Sequence, residues 1–404
     1  MRIILANKVN HLKGGADKYF LDLADILAGA GMEVAKFSMA SPENLADRHE
    51  RYFVSQVDFN KGNLFQKLKA AGRLLYSFEA ARKFERLVAD FKPDLVHIHN
   101  IYHQISPSIL PVAKRHGLPV IMHLHDYKLL CPNYRMFNRQ GICEKCKGGK
   151  FYHCALDRCL KDSFSKSLLG SLEMYLQHKI LKIWDRNIDL YIAPSEFMRA
   201  KAIEWGVEPG KIAVLPYFIK TAEFRPGGHG DDYLLFFGRL SPEKGIDTLI
   251  EAVEKLPEVK LKIVGPGPEF QVLKERIGSS GLKDRVELLG PKYGEELKAL
   301  VRNSLAVVVP SRWYEVSGIV NLEAAALGRP IIASDIGGIG EIVKDGINGL
   351  LFKPGDSEDL ARKIRLLKTV DLPGLGDWAV SERFSPQIHL EKLRSIYERY
   401  VRKV

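Results

Sequence analysis

The stretch SRWYEVSGIVNLEAAALGRPIIAS, residues 311–334, places one carboxylate, Glu315, in a loop and a second, Glu323, inside an apolar run with helical spacing. A helix that only packs needs neither. VSG before that run predicts a helix start with Ser317 as its N-cap. Such an N-terminus offers unpaired N–H groups and the positive end of a dipole to an anion. Upstream, FFGRLSPEKG sets Arg239 directly after a predicted strand and Lys244 five residues on, in a turn shaped by Gly238 and Gly245. Two cations on one strand-end loop suit phosphate. Carboxylates that accept from hydroxyls, on either side of a phosphate site, match a nucleotide sugar. Glu315 would hold the sugar hydroxyls and Glu323 a ribose diol. Taken alone, Glu323 reads rather as a salt-bridge partner or an exposed helix residue, and a lone Arg or Lys such as Arg239 or Lys244 as a solvated cation.

These groups need elements to position them. RIILAN, EVAKFSM, PDLVHIHN, LPVIMHLHD and IDLYIAPS are short β-rich runs separated by helical spacing, and DYLLFFGRL, VKLKIVGPG, RVELLG, LAVVVPS and RPIIASD restart the pattern in the second half. Alternation of this kind predicts parallel sheets covered on both faces. At 404 residues the chain is long for one core and suits two doubly wound α/β domains. The expected division is residues 1–217, then 218–384 after a Pro- and Gly-rich linker, then a charged helix at 385–404 that packs back across the domains. Ligands of open α/β sheets sit beyond the carboxyl ends of the strands, so two such domains make a cleft for two substrates.

Charge is uneven. Residues 1–200 hold 30 Lys and Arg against 20 Asp and Glu, a balance of +10 out of the chain's +11. The first half therefore suits an anionic partner: nucleic acid, lipid headgroups or a phosphorylated substrate. No run approaches the apolar length of a membrane span, and the N-terminus lacks a signal-like cleavage site, so a cytoplasmic protein is expected. Residues 61–92 carry eight Lys or Arg against three acids, with Leu64, Leu68, Ala71, Leu75 and Phe78 at helical spacing. A basic amphipathic helix of this type suits peripheral contact with the inner membrane face, or else packs its stripe on the sheet.

All five cysteines lie between Cys131 and Cys159. Cys143, Cys146, Cys154 and Cys159 form C-x2-C-x7-C-x4-C, with Cys131 and His153 as spare ligands. Thiols clustered in an intracellular-looking chain favour a metal over disulfides, and four thiolates suit a structural zinc. An iron–sulfur cluster, or reduced cysteines in a folded insertion (131–160), are the alternatives.

With FGRLSPEKG upstream, the stretch PSRWYEVSGIVNLEAAALGRPIIASDIGGIGEIVKDGINGLL resembles the retaining glycosyltransferases of family 4, which have the GT-B fold: two Rossmann-like domains facing a central cleft. The resemblance extends to HLKGGADKYFLDLA, to HDY at 125–127 and to APSEFMRAKAIEWGV at 193–207. It implies an acceptor-binding first domain and a donor-binding second one. Arg239 and Lys244 would neutralise the donor diphosphate, Glu315 would contact the donor sugar, and Glu323 the ribose. The backbone of Ser317, Gly318, Ile319 and Val320 would touch phosphate and sugar; Gly265, Gly267, Gly290 and Lys292 would flank the base. Gly14 and Gly15 would approach the diphosphate from the first domain, and His125 would sit by the sugar. Ser317 stands where the commoner motif has an aromatic residue. Cations and a helix N-terminus stabilise a leaving diphosphate without a metal, and no Asp-x-Asp pair lies near these motifs, so no catalytic metal is expected. The expected partners are a UDP- or GDP-sugar and a lipid-linked saccharide of cell-surface polysaccharide synthesis. A GT-B nucleotide-sugar epimerase is the nearest alternative. A zinc-containing nucleic-acid-binding protein leaves Glu315, Glu323 and the Arg239–Lys244 loop unexplained, so no nucleic-acid partner is expected.

Overall fold

A computed structural model describes residues 1–56, 72–103, 105–227, 231–372 and 382–401. Its strands are β1 (Arg2–Ala6), β2 (Glu33–Phe37), β3 (Leu95–Ile98), β4 (Val120–His123), β5 (Phe137–Asn138), β6 (Gly141–Ile142), β7 (Leu190–Ala193), β8 (Ile212–Val214), β9 (Tyr233–Phe237), β10 (Lys260–Val264), β11 (Val286–Gly290), β12 (Ala306–Val309), β13 (Ile331–Ser334) and β14 (Gly349–Phe352). Two six-stranded sheets run in the orders β2-β1-β3-β4-β7-β8 and β11-β10-β9-β12-β13-β14. Every pairing within them is parallel. Strands β3, β4, β7, β9, β12 and β13 are buried at every position, which is why they read as unbroken apolar runs rather than alternating ones.

Strand order reverses between β1 and β3 in the first sheet and between β9 and β12 in the second. These are the switch points at which doubly wound sheets open a crevice for ligands. The loop after β1 leads to Gly14 and Gly15; the loop after β9 carries Arg239; the loop after β12 carries Glu315.

The described part of 61–92 is not one helix. Chain 57–71 lies outside the described residues, so the stripe through Leu64, Leu68 and Ala71 lies outside them too. At Ser77 the backbone is extended and its side chain accepts from Ala80 N, starting a fresh helix, Phe78–Phe91. That helix buries Ala80, Phe84, Leu87, Val88 and Phe91, so its apolar face packs on the sheet. Phe78, expected in the same stripe as Leu75, is 81% exposed beyond the break.

The C-terminal helix, Pro386–Val401, returns to the first sheet through a buried network of imidazoles and phenols. His389 Nε2 lies 2.9 Å from Tyr19 Oη, His97 Nδ1 2.6 Å from Tyr397 Oη, and His389 Nδ1 2.9 Å from the carbonyl of Pro216. HIH and HLH, at the ends of β3 and β4, supply His97, His99, His123 and His125, whose rings stack on one another. Burial, reinforced by neighbouring imidazoles or by Lys8 or Lys392, lowers the pKa of His97, His125 and His389 to about 3. An unfolded chain protonates these rings near pH 6.5, so between about pH 6.5 and 3 it binds more protons than the fold does. Each ring then removes up to about 1.4 kcal/mol per pH unit. The melting temperature should therefore stay level from pH 8.5 to 7 and fall steeply below 6, and His389→Gln should make that fall shallower. A melting temperature unchanged from pH 7.5 to 5 would contradict the neutral network.

Candidate functional site

Glu315 is the best-held carboxylate in the cleft. It is 5% exposed, and its Oε1 accepts from Lys244 Nζ at 2.6 Å and from Ser311 Oγ at 2.6 Å. Burial pushes its pKa up, but the Lys244 charge and hydrogen bonds from Lys244, Ser311 and Trp313 outweigh burial and leave it below the usual carboxylate value. The backbone of Glu315 is pinned as well. Gly338 N donates to its carbonyl at 2.7 Å. Gly337, at φ +64, lies so close that a Cβ would sit 2.4 Å from that carbonyl oxygen, so this turn of DIGGIG admits only glycine. Lys244 Nζ also sits 5.2 Å from the centroid of the Trp313 ring.

Arg239 is the complement of Lys244. It is exposed, and no described carboxylate pairs with it. The site thus holds one cation already neutralised by Glu315 and one available to an incoming anion.

The helix after Glu315 runs Ile319–Ala326 and starts one residue later than expected. Gly318, at φ +84, is its N-cap, and no side chain caps it; Ser317 precedes the cap and is buried. Across the cleft, the helix Gly15–Gly29 starts from Gly14, again with no side-chain cap. The two N-termini touch: a Cβ on Gly15 would lie 3.4 Å from Ile319 Cδ1. Four N-terminal N–H groups per helix have no intrahelical acceptor, so this junction offers N–H donors from both domains to an anion.

Glu323 faces the same helix. It is half-buried, and no described residue hydrogen-bonds to its carboxylate. Burial, opposed by Lys18 and Lys298 and reinforced by Asp22, lifts its pKa to about 7. An unpartnered carboxylate at this depth has room for hydroxyl donors.

The remaining expected residues are more structural. Gly265 and Gly267 lie against the backbone of Gly238 and Leu240, where a Cβ would come within 1.8 Å and 2.1 Å of a carbonyl oxygen; their missing side chains let two strand-end loops cross. Gly290 accepts from Gly265 N at 2.9 Å. Lys292 is paired on the surface with Glu296 at 2.6 Å. His125 is 8% exposed, and both ring nitrogens are taken, by His99 Nδ1 and Tyr217 Oη, each at 2.8 Å. In this arrangement it offers a ligand its ring edge or backbone rather than a free nitrogen.

The structure gives the expected zinc centre no support. All five are free thiols, and among the described residues no three His, Cys, Asp or Glu side chains are gathered as a metal-binding group. Cys146 and Cys154 turn into a small apolar cluster with Phe151 and Met174. Cys154 and Cys159 share a hydrogen bond, and Cys131 donates to Asn133 Oδ1 at 3.2 Å. Their sulfurs are spent on packing and on each other.

Two residues escaped the sequence reading. Asn321 is fully buried in the first turn after Gly318, and neither end of its amide has a partner; the signal was a lone amide in an otherwise apolar run. Glu243, beside Lys244, is 6% exposed and bridges Ser241 Oγ and Arg135 Nη1, each at 2.9 Å. Its partner lies in the cysteine-bearing insertion, a link that no local pattern announces.

Comparison with known proteins accounts for this geometry. Residues 14–217 match the family described as Glycosyl transferase 4-like domain, and residues 220–371 the family Glycosyl transferases group 1. An uncharacterized glycosyltransferase of Methanocaldococcus jannaschii is 33% identical over 69% of this chain and 71% of its own. An uncharacterized 42.6 kDa protein of the cps region of Klebsiella pneumoniae is 27% identical over 85% and 87%. Among solved structures, sucrose-phosphate synthase of Thermosynechococcus elongatus superposes with a TM-score of 0.73 at 21% identity over 100% of both chains. HepE of Anabaena in complex with UDP-glucose superposes at 0.66 and 20% identity, over 98% of this chain and 99% of its own. At these identities the structural likeness is one of fold. The two matched regions take in the second sheet, all of the first but β1, and both N-termini of the cleft, and the chain belongs to the group 1, family 4 glycosyltransferases, enzymes of the GT-B fold.

Proposed function

We propose that this enzyme transfers a sugar, with retention, from a UDP- or GDP-sugar to a lipid-linked saccharide acceptor in cell-surface polysaccharide synthesis. The observation that carries the donor half is the contact of two uncapped helix N-termini at Gly15 and Ile319, flanked by the unpaired Arg239. The diphosphate would lie there. Its sugar would reach Glu315 and its ribose Glu323. As the bond from the anomeric carbon to phosphate breaks, the electron pair stays on the phosphate oxygen, where Arg239, Lys244 and backbone N–H groups stabilise it. The acceptor hydroxyl adds to the same face of the anomeric carbon and its proton passes to the departing phosphate. UDP-glucose bound to HepE, a protein of the same fold, supports a nucleotide-sugar donor. The +10 balance of the first 200 residues supports an anionic, membrane-held acceptor, with a peripheral visit to the inner membrane face.

Glu315→Ala should lower transfer by two or more orders of magnitude while leaving binding of the nucleoside diphosphate within a few-fold. Arg239→Ala should weaken that binding itself, as loss of a charge-assisted phosphate contact does. Isothermal titration beside a transfer assay separates the two. Loss of nucleotide binding in Glu315→Ala would reverse the assignment.

Lys244→Met strands a buried carboxylate. With Lys244 partly in solvent, the loss should be about 2 kcal/mol at pH 8, below that of a fully buried pair. The native pair holds Glu315 ionised, so its stabilisation is present above the carboxylate range and is lost as pH falls through it. In the variant burial is opposed only by the hydrogen bonds from Ser311 and Trp313 and Glu315 protonates sooner, so the deficit should shrink from pH 8 to 5.5. An equal deficit at both, by chemical denaturation, would argue against the pair.

Glu323, at about 7 in the free protein, supplies a pH signature. An ionised carboxylate accepts a diol better than a protonated one, so donor affinity should rise as pH increases from 6 to 8, by at most about tenfold per unit. The nucleotide sugar has no proton to lose in that range, and Glu323→Gln should flatten the profile. An affinity already independent of pH in the parent enzyme would rule the contact out.

A further inference from the structure

The helix Phe164–Tyr175 is inside out. Its buried positions are Ser167, Gly170, Ser171, Glu173 and Met174, four of them polar or small. Ser171 Oγ donates to the carbonyl of Phe151 at 2.8 Å, and a Cβ on Gly170 would fall 2.6 Å from Leu160 Cδ1, so the small residues let this helix press onto the cysteine-bearing insertion. Glu173 pairs at 2.8 Å with Lys128, three residues beyond His125, which ties the helix to the acceptor side of the cleft.

The outward stripe is apolar. Phe164, Leu168, Leu172 and Tyr175 are 51%, 39%, 55% and 52% exposed. At about 100° per residue they fall within an arc of roughly 80°. The adjoining helix Tyr152–Leu156 adds Tyr152 and Leu156 at 57% and 65%. A soluble surface seldom leaves such a row uncovered.

Charge says what covers it. Lys161 stands just before the stripe and Lys182 beyond its far end, both exposed, with no described carboxylate in ion-pair reach of either. The exposed acid among them, Asp162, is engaged by Arg139 at 2.7 Å. A second copy joined through a twofold contact would set these cations against their own images. An anionic bilayer satisfies both features, taking apolar side chains between its headgroups and lysines at their level.

We propose that the Phe164–Tyr175 ridge is a membrane-docking surface that seats the acceptor domain on anionic phospholipid. The proposal deepens the lipid-linked-acceptor reading and rests on it. It assigns the docking to residues outside the basic stretch 61–92.

The test is flotation of the full-length enzyme with phosphatidylcholine vesicles, with and without phosphatidylglycerol. Binding should require phosphatidylglycerol and weaken with salt. Leu168→Ser/Leu172→Ser and Lys161→Glu/Lys182→Glu should each reduce it at least about tenfold, given the apolar area and charge removed, with melting temperature unchanged. Lys274→Glu, on the other domain, should leave it intact. Donor turnover onto a water-soluble acceptor should survive in all variants, so failure of the transfer reading shows separately from failure of the ridge. Undiminished binding by both ridge variants, or no preference for anionic vesicles, overturns the proposal. A concentration-dependent dimer in light scattering that Leu168→Ser/Leu172→Ser dissolves would also overturn it, assigning the ridge to a second copy.

Discussion

Like ends of two helix dipoles repel, and this fold drives two of them together. The N-termini that begin at Gly15 and Ile319 meet across the cleft with neither cap filled by a side chain. A third N-terminus, that of the helix Glu196–Glu204, is treated differently. Its cap Ser195 accepts from Met198 N, and Glu341, reaching over from the second domain, accepts from Glu196 N and Phe197 N at 3.0 and 2.8 Å. Where the chain supplies an anion, the helix end serves as an interdomain joint. Where it withholds one, the helix ends leave N–H donors free for an anion. An anion in that gap would remove the repulsion, so its binding and domain apposition would draw on the same electrostatics.

The apposition is held by other contacts in the meantime. Ser195 Oγ donates to the carbonyl of Val316, and Arg135 in the insertion pairs with Glu243 at 2.9 Å. From the first sheet's side, the His and Tyr network locks the C-terminal helix onto the floor of the cleft. That network is an unusual choice for a core. Several of its ring nitrogens, on His97, His99 and His123, lack partners. A buried polar group without a partner destabilises the fold, so the stacked imidazoles persist for orientation rather than for stability. They fix His125 and Tyr217 at the point where the chain passes from one domain to the other.

Much of this was legible in the sequence. Buried parallel strands read as apolar runs, and the carboxylates and cations of the site were conspicuous because each interrupted such a run or followed it at a strand end. The edge strands β8 and β14 escaped notice: β8 has only three residues, and β14 is partly open to solvent at Leu351 and lacks the unbroken apolar run of the central strands. Ser317 was misplaced as the cap because a left-handed glycine can begin a helix without a side-chain acceptor, which Gly318 does. Cysteine spacing suggested a metal, and spacing alone does not fix how thiols are arranged in space. Cys146 and Cys154 point into an apolar cluster. Residues 61–92 read as one helix because the apolar period runs through Ser77, yet Ser77 is extended and satisfies the next helix's N-terminus. Periodicity reports a face, and only the capping residue reports a break.

The insertion shows how a segment without chemistry of its own can govern a site. Arg135 holds Glu243, whose backbone carbonyl accepts from Arg312 N at 2.9 Å, so one short turn joins the Lys244 loop to the loop of Glu315. Glu144 accepts from Lys201 at 2.9 Å and bonds to Tyr314, the residue before Glu315. Both loops that carry the donor-site charges are therefore braced by the same insertion. The helix Phe164–Tyr175, packed on the insertion, is the one that wears its apolar side chains outward. A load placed on that helix passes through Glu173 and Lys128 to the end of β4, and through the insertion to Arg135 and Glu144. The end of β4 and the loops of Lys244 and Glu315 are thus joined through contacts of the cysteine-bearing segment as well as through the linker between the domains.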